Sequence, residues 1–345
     1  MKAALSVLFV MALLTLPATT RAFSIGSGVS EGCHEKISAQ AFRRFLATFQ
    51  PQKRKVPIHP RWRRLARKLA QVADMPELSD TQAFALLSLV VGVRSPDTNG
   101  HSISELSSLR GIHADREAAG QYAHALRSPD DDYDAGNVAA VQGTRRVIAD
   151  AVARVVASAR APRSEQFGHA PMYFDFYGVV NVPVFLPAYY FGRAAHTVQD
   201  SFAHALRDAS SGLHQIVHVL NYVEAIGDEY SERRDGVSHS TGMDSCAEEM
   251  RPRVEAAIEA TLELLQAAVV IRDTDDHAAL EAYLERWFTL HPDCNVTNQM
   301  CGNPGWLEVA RRGPTGPYLF GRSQRPNDVY DGQRVRGTAE RVTRP

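Results

Sequence analysis

The 345-residue sequence lacks the short motifs that identify several common enzyme classes. It contains no GxGxxG, no P-loop and no CxxC. These absences disfavour dinucleotide-binding, nucleotide-hydrolysing and thioredoxin-like functions. An excess of one charge sign is absent as well, because 38 Lys and Arg stand against 39 Asp and Glu, for a formal net charge of -1. The overall charge therefore neither favours nor excludes a polyanionic partner.

Long hydrophobic runs are absent after the first 22 residues. That segment combines Lys2, an apolar run from Ala3 to Leu16 and small or polar residues ending at Ala22, a pattern typical of a cleaved secretory signal peptide. An uncleaved membrane anchor is the alternative. No later run approaches the ~18 apolar residues of a membrane helix. We therefore expect a secreted or periplasmic protein with a mature amino terminus at Phe23.

Cysteine is scarce, with only Cys33, Cys246, Cys294 and Cys301. An even number suits an oxidising compartment, and three disulfide pairings are possible. The closeness of Cys294 to Cys301, with turn-forming residues between them, favours that pair and leaves Cys33 with Cys246. A four-cysteine zinc site is the alternative, but its usual CxxC spacing is missing.

Strand-like alternation is also scarce, whereas helical periodicity recurs along the chain. The apolar residues of segment 34–49 share one helical face: Ile37, Ala41, Phe42, Phe45 and Phe49. Similar spacing predicts further helices over 61–73, 81–92, 137–160, 183–207, 212–230, 247–272 and 276–290. We therefore predict an all-α multi-helix bundle over residues 23–310.

Segments rich in turn formers interrupt this pattern. Residues 94–116 and 127–137 are expected to be long loops, which are often functional. Residues 311–345 are rich in Arg, Gly and Pro and have no hydrophobic period, so we predict a poorly ordered tail. Its excess of Arg is compatible with contact to an anionic surface, although a solvated tail is the simpler interpretation.

The segment FGRAAHTVQDSFAHALRD, residues 191–208, places His196, Asp200 and His204 at intervals of four. On a helix, three residues at this spacing lie on one side. Most of their neighbours are apolar, and a carboxylate buried between imidazoles needs paired charge or a metal ion. A polar stripe or a satisfied His–Asp network is the alternative interpretation.

Other ligand-type residues accumulate elsewhere in the chain. His214 and His218 are also four apart and are predicted at the start of the next helix. His34 falls in the first turn of the first helix, while Asp97, His101 and His113 are expected in a loop. Several separate His and Asp clusters favour a metal centre over a single chance pair.

The order of these residues resembles the zinc-dependent phospholipase C and single-strand nuclease superfamily. In that family one helix carries HxxxD followed by a third His, the next helix carries HxxxE, and an upstream loop contributes an Asp and a His. The mature amino terminus and a nearby His are ligands as well. Here HTVQD and HQIVH supply the helical motifs, CHEKI supplies the nearby His, and Asp97 with His113 match the loop pair.

The resemblance implies a helical fold that holds up to three zinc ions. It assigns the following ligands: Phe23, His34, Asp97, His113, His196, Asp200, His204, His214 and His218. Asp200 is expected to bridge two metals, and Asp97 is also expected to accept a proton from the attacking water. His101 is an alternative to His113, and His218 stands where the family has Glu.

These expectations define a secreted zinc-dependent phosphodiester hydrolase of the phospholipase C type. The expected partner is a phospholipid head group or another phosphodiester, with peripheral contact to a membrane surface. Aromatic residues across 170–192 could form an apolar rim or stack nucleic-acid bases, and core packing is the plainer explanation. The alternatives are a single-strand nuclease, which would bind nucleic acid, and a non-catalytic secreted helical protein with degenerate metal sites.

Overall fold

The computed structural model describes residues 32–49, 58–101, 117–131, 133–174, 178–221, 246 and 251–293. The helices of these residues are α1 (Cys33–Thr48), α2 (Pro60–Val72), α3 (Asp80–Thr98), α4 (Ala118–Ala123), α5 (Tyr133–Arg160), α6 (Leu186–Ala203), α7 (Arg251–Thr274) and α8 (Ala278–Trp287). The strands are β1 (Phe167–Phe174), β2 (Gly178–Phe185), β3 (Ala205–Arg207), β4 (Gln215–Val219) and β5 (Thr289–Leu290). The protein is therefore mostly helical, and the expectation of an all-α chain is corrected by these strands.

The strands form two small sheets. β1 and β2 pair as an antiparallel hairpin, in register from Phe167 with Phe185 to Phe174 with Gly178. In the second sheet β4 lies between β3, to which it is antiparallel, and β5, to which it is parallel. The helix predicted over 212–230 is wrong at Gln215–Val219, where the β-branched residues of QIVHV favour an extended chain packed into the core.

Helix α3 is longer than its sequence pattern indicates. It begins with a capping box between Ser79 and Gln82, and it ends at Asn99, which adopts a left-handed φ of 43°. Residues 94–98 are therefore helical, and the loop predicted over them is wrong. The same applies to residues 133–137, which form the first turns of α5.

Helix α6 occupies the centre of the fold. Of its 18 residues, 13 are buried, and it packs against α1, α3, α5 and α7. Its crossing with α3 depends on two glycines. A Cβ at Gly92 would lie 2.1 Å from the backbone oxygen of Tyr189, and one at Gly192 would lie 2.3 Å from that of Leu89. Only glycine permits this approach, which brings the last turns of α3 beside the middle of α6.

The predicted disulfide between Cys33 and Cys246 is confirmed, with the two Cα atoms 5.8 Å apart. It fixes the first residue of α1 to the segment that precedes α7. Cys294, Cys301, the predicted signal peptide and the predicted tail lie outside the described residues. Among the helices that the structure describes, none is both long and apolar enough to cross a membrane.

Candidate metal centre

Two ligand-type residues of α6 are completely enclosed by the fold. His196 is 0% exposed and Asp200 is 1% exposed, and both lie on the same side of the helix one turn apart. Their helix neighbours Ala195, Val198 and Phe202 are buried as well. A carboxylate in such surroundings requires positive charge or hydrogen-bond donors close by, because its desolvation is otherwise costly.

Those partners come from α3 and from the residue that caps α4. His124 Nδ1 lies 3.1 Å from His196 Nε2. Asp200 Oδ2 is 2.9 Å from His196 Nε2 and 3.2 Å from His124 Nδ1. Asp97 Oδ1 is 3.4 Å from His196 Nε2 and 3.6 Å from His124 Nδ1. Together the four side chains form a group that could hold a metal ion.

The spacing of these donor atoms fits a tetrahedral cation. For metal–ligand bonds of about 2.0–2.1 Å, a regular tetrahedron separates neighbouring ligand atoms by about 3.3 Å. The distance between the two imidazole nitrogens, and the distances from these nitrogens to the carboxylate oxygens, run from 2.9 to 3.6 Å. Two imidazoles and two carboxylates are also a donor set that suits zinc and other divalent metal ions. The geometry and the donor set are therefore compatible with a metal ion at this position.

His34 approaches the two carboxylates from another direction. Its Nε2 is 3.2 Å from Asp200 Oδ1 and 3.8 Å from Asp97 Oδ2. These are the oxygens that do not face His124 and His196. Each carboxylate thus presents one oxygen to the histidine pair and the other to His34, which is the arrangement that a carboxylate between two cations requires.

Electrostatics in this enclosed space favour one particular charge state. Burial lowers the pKa of His34, but its hydrogen bond to Asp200 and the charges of Asp200 and Asp97 outweigh burial and raise that pKa to about 9. Burial likewise disfavours the ionised form of Asp200, yet the surrounding histidines, His196 foremost, hold its pKa well below the ordinary value. Without a metal, Asp200 is therefore ionised and His34 is a positively charged imidazolium at neutral pH.

The polar residues between the ligands of α6 support the neighbouring elements. His34 Nδ1 lies 2.8 Å from Gln199 Oε1, and the amide nitrogen of Gln199 donates to Ser38 Oγ at 2.9 Å. Thr197 Oγ1 donates to the carbonyl oxygen of Ala123 at 2.8 Å, next to His124. Such outer partners fix the orientation of metal-binding imidazoles.

His204 lies beside the group but serves a different contact. It caps the C-terminus of α6, and its Nδ1 donates to the carbonyl oxygen of His124 at 2.6 Å. The same nitrogen is 3.9 Å from Asp200 Oδ2. His204 therefore holds the backbone of a ligand-type residue, and it is not one of the four residues of the group.

The structure does not bring His214 and His218 into this group. His214 precedes β4, where its Nε2 is 3.1 Å from an Arg286 nitrogen and its ring centroid is 4.5 Å from that of Trp287. His218 is buried in β4, with Nδ1 3.2 Å from the side-chain nitrogen of Asn137. The predicted helix that would have placed both histidines around one cation is wrong here.

The remaining predicted ligands have different outcomes. Asp97 lies in the last turn of α3 rather than in a loop, and it joins His196 and Asp200 in the group. His101 follows α3 and is not a member of the group. Phe23 and His113 lie outside the described residues.

His124 is the residue that the sequence analysis missed. Its surroundings repeat those of His204, because AHALR occurs at residues 123–127 and again at 203–207. Both histidines cap a helix in nearly the same conformation, with φ of -101° and -104°. Arg127 and Arg207 are both completely buried. This short repeat gives the two histidines the same local conformation, but it does not predict membership of the group, which includes His124 and not His204.

No family model, curated protein or solved structure matches the chain.

Proposed function

We propose that the protein is a metal-dependent phosphoric ester hydrolase of the phospholipase C type. The convergence of Asp97, His124, His196 and Asp200 at tetrahedral spacing is the observation that carries this proposal. The ligand order in the sequence, and its resemblance to the zinc-dependent phospholipase C superfamily, supply the reaction class. Zinc is the proposed metal, with up to three ions as the resemblance implies.

Two positions for metal ions are supported by the described residues. His124 and His196, with one oxygen from each carboxylate, would hold one ion. His34 and the opposite oxygens of Asp97 and Asp200 would contribute to another. Bound divalent ions would polarise a phosphoryl oxygen and make a water more acidic, which is the chemistry that the side chains themselves cannot supply.

The two carboxylates differ in ways that suit different roles. Asp200 is enclosed, and its pKa is held low by the surrounding imidazoles, so it is a poor proton acceptor and a good positioning group. Asp97 is 14% exposed at its side chain, more than the histidines around it, and it marks the side from which water and a phosphate group would enter. We assign Asp97 as the acceptor of the proton from the attacking water.

The described aromatic side chains of residues 170–192 pack in or against the core, which is the plainer of the explanations for this segment. Phe191 is buried, and Phe185 and Tyr190 pack against the core. Tyr189 is half-buried, with its hydroxyl 3.1 Å from Ser95 Oγ. Among the aromatic side chains of 170–192 whose burial the structure describes, none is exposed as a stacking platform for bases or an apolar rim for lipid would be, so the proposal of a lipid head group rests on the resemblance.

A second candidate function is a secreted helical protein in which the metal only stabilises the fold. The enclosure of the site favours this alternative, because structural zinc sites use four protein ligands and catalytic sites keep one position open. His196 and Asp200 are almost completely buried, and Asp97 alone would have to yield a position to water. The two candidates differ in whether the loaded protein turns over a substrate.

Metal analysis combined with hydrolysis assays tests the proposal. The mature protein, supplied with zinc, should contain at least two ions per chain. It should hydrolyse phosphatidylcholine and a chromogenic phosphodiester, and a chelator should abolish both activities. Metal binding without any hydrolysis would favour the structural role, and turnover of single-stranded DNA with inert lipid would favour the nuclease alternative. Absence of metal binding would contradict both candidates.

A further inference from the structure

The near-zero net charge of the chain conceals a strong local imbalance. Residues 36–73 contain eleven Lys and Arg and no Asp or Glu. The rest of the chain therefore has 27 basic residues against 39 acidic ones. Within the described residues this positive charge is concentrated on α2, PRWRRLARKLAQV, which carries five basic residues and no acidic one.

The basic residues of α2 divide into two sets. Arg63 and Arg67 pair with Asp80 at 3.4 and 2.7 Å and so fasten α2 to the start of α3. The other set comprises Arg61, Arg64 and Lys68, which are exposed and have no acidic partner among the described residues. We call this second set, together with Val72, the cationic face.

Helix geometry places the cationic face on the outer side and one flank of α2. The inward side of α2 packs Trp62, Leu65, Ala66, Leu69 and Ala70 against the core. At about 100° per residue, Arg64 points almost directly away from that side, and Lys68, Arg61 and Val72 follow it in a stripe that turns towards one flank of the helix. Val72 is 78% exposed, more than any other large hydrophobic residue described.

The stability of α2 does not explain this charge. Positive side chains are unfavourable near a helix N-terminus, which carries a partial positive charge of its own. The first turn of α2 nevertheless contains Arg61 and Arg63 and has no acidic residue. A partner with negative charge would compensate both the crowded side chains and the helix dipole.

We propose that the cationic face binds the surface of an anionic phospholipid bilayer. A helix that lies on a bilayer combines basic side chains for the lipid phosphates with apolar side chains that enter the interface. The exposed Val72 at the end of a stripe of three cations fits that combination. Nucleic acid fits it less well, because the indole of Trp62 packs inward and an exposed valine gains nothing from a phosphate backbone.

This binding does not depend on the proposed hydrolase activity, since α2 contributes no residue to the metal-site group. It would bring the protein to a lipid surface whether or not it cleaves the lipid. Turnover of a soluble phosphodiester and binding to vesicles are therefore separate measurements, and failure of one leaves the other interpretable.

Vesicle co-sedimentation of the full mature protein tests the proposal. Vesicles of phosphatidylcholine with roughly 30% phosphatidylglycerol should bind the protein, and pure phosphatidylcholine should bind it much more weakly. The double variant Arg64→Gln/Lys68→Gln should lose about 30-fold in affinity, since each charge near an anionic surface contributes about a factor of five. The matched double variant Arg146→Gln/Arg154→Gln removes two exposed charges of α5 and should bind like the wild type.

Four further readouts make the result decisive. Arg64→Lys should retain binding because it retains the charge, and raising the salt from about 0.05 M to about 0.3 M should weaken it. Circular dichroism and soluble phosphodiester turnover of the α2 double variant should be unchanged. Equal losses in both double variants, equal binding to neutral vesicles, or binding of single-stranded oligonucleotide instead of vesicles would each overturn the proposal.

Discussion

Two motifs with the same four-residue spacing have different outcomes in this fold. His196 and Asp200 are four residues apart on α6, and they join Asp97 and His124 in a buried group. His214 and His218 are also four apart, yet one contacts Arg286 and the other contacts Asn137. Sequence spacing alone would give both pairs the same chance of sharing a metal ion.

The difference lies in the rise per residue. Four residues of helix advance about 6 Å and return to the same side, so two side chains can reach one ion. Four residues of extended chain advance about 13 Å, which is beyond the reach of two imidazoles around a single ion. The motif therefore indicates a metal site only where the local structure is helical, and the helix of the second motif is not present.

Removal of the Asp200 carboxylate should give the largest loss of metal affinity. Asp200→Asn leaves His34, His124 and His196 without their shared anion, so we expect metal affinity to fall on the order of 1000-fold. His214→Asn should change it by less than about twofold, because that side chain lies outside the group. Competition against a chromogenic chelator measures both, and similar losses in the two variants would contradict the assignment.

A side chain added at the close crossing of α3 and α6 should also have a large effect, on both stability and metal binding. Gly192→Ala would ordinarily stabilise a helix by about 1 kcal/mol. Here the added methyl group meets backbone atoms of α3, so we expect destabilisation of about 3 kcal/mol together with weaker metal binding. Urea unfolding measures the change.

Gly168→Ala is the control for this substitution. Its added methyl group meets only the end of the flexible Leu186 side chain, at 2.9 Å, and should cost less than about 1 kcal/mol. If the two variants are equally stable, the helix crossing does not position the site.

Removal of the Gln199 side chain, which contacts His34, should have a smaller effect on metal affinity. Gln199→Ala removes the oxygen that lies 2.8 Å from His34 Nδ1, and we expect metal affinity to fall about 10- to 100-fold. Gln142→Ala, on an exposed position of α5, should leave affinity unchanged. Unchanged affinity in Gln199→Ala would show that His34 does not contribute to the site.

Titration of the metal-free protein should reveal a difference between the pKa values of His34 and His214 without any substitution. Asp200 and Asp97 outweigh burial and raise the pKa of His34 to about 9, whereas burial and the charge of Arg286 lower the pKa of His214 below its ordinary value of 6.5. Imidazole signals in nuclear magnetic resonance spectra should therefore show His34 still protonated at about pH 8 and His214 already neutral at about pH 7. A His34 signal that titrates below pH 7 would contradict the charge state of the site.

The same pKa shift has consequences for stability and metal uptake. Because the folded pKa of His34 is raised, its proton stabilises the metal-free fold below pH 6.5, and this contribution is lost as the pH rises through about 9. Metal binding at His34 must displace that proton, so affinity should rise about tenfold per pH unit over the same range. His34→Asn should flatten both dependences, and chelator competition at several pH values tests this directly.

Much of the helical framework could be predicted from periodicity. The helix predicted over 61–73 is observed at Pro60–Val72, and the one predicted over 247–272 is observed at Arg251–Thr274. The sheet of β3, β4 and β5 could not be predicted in this way, because its strands are two to five residues long and are held by pairing with distant segments. Propensity carries no information on such long-range partners.

What the amino-acid sequence by itself determined is the set of locally encoded features. These are the helical face that carries His196 and Asp200, the caps of α3 and the positive charge of α2. Each depends on residues within a few turns of one another. The tertiary structure alone decided that His124 joins the group and that His214 does not. That choice follows from how α3, α4 and α6 pack, since donor atoms far apart in the chain must come within about 3 Å in space.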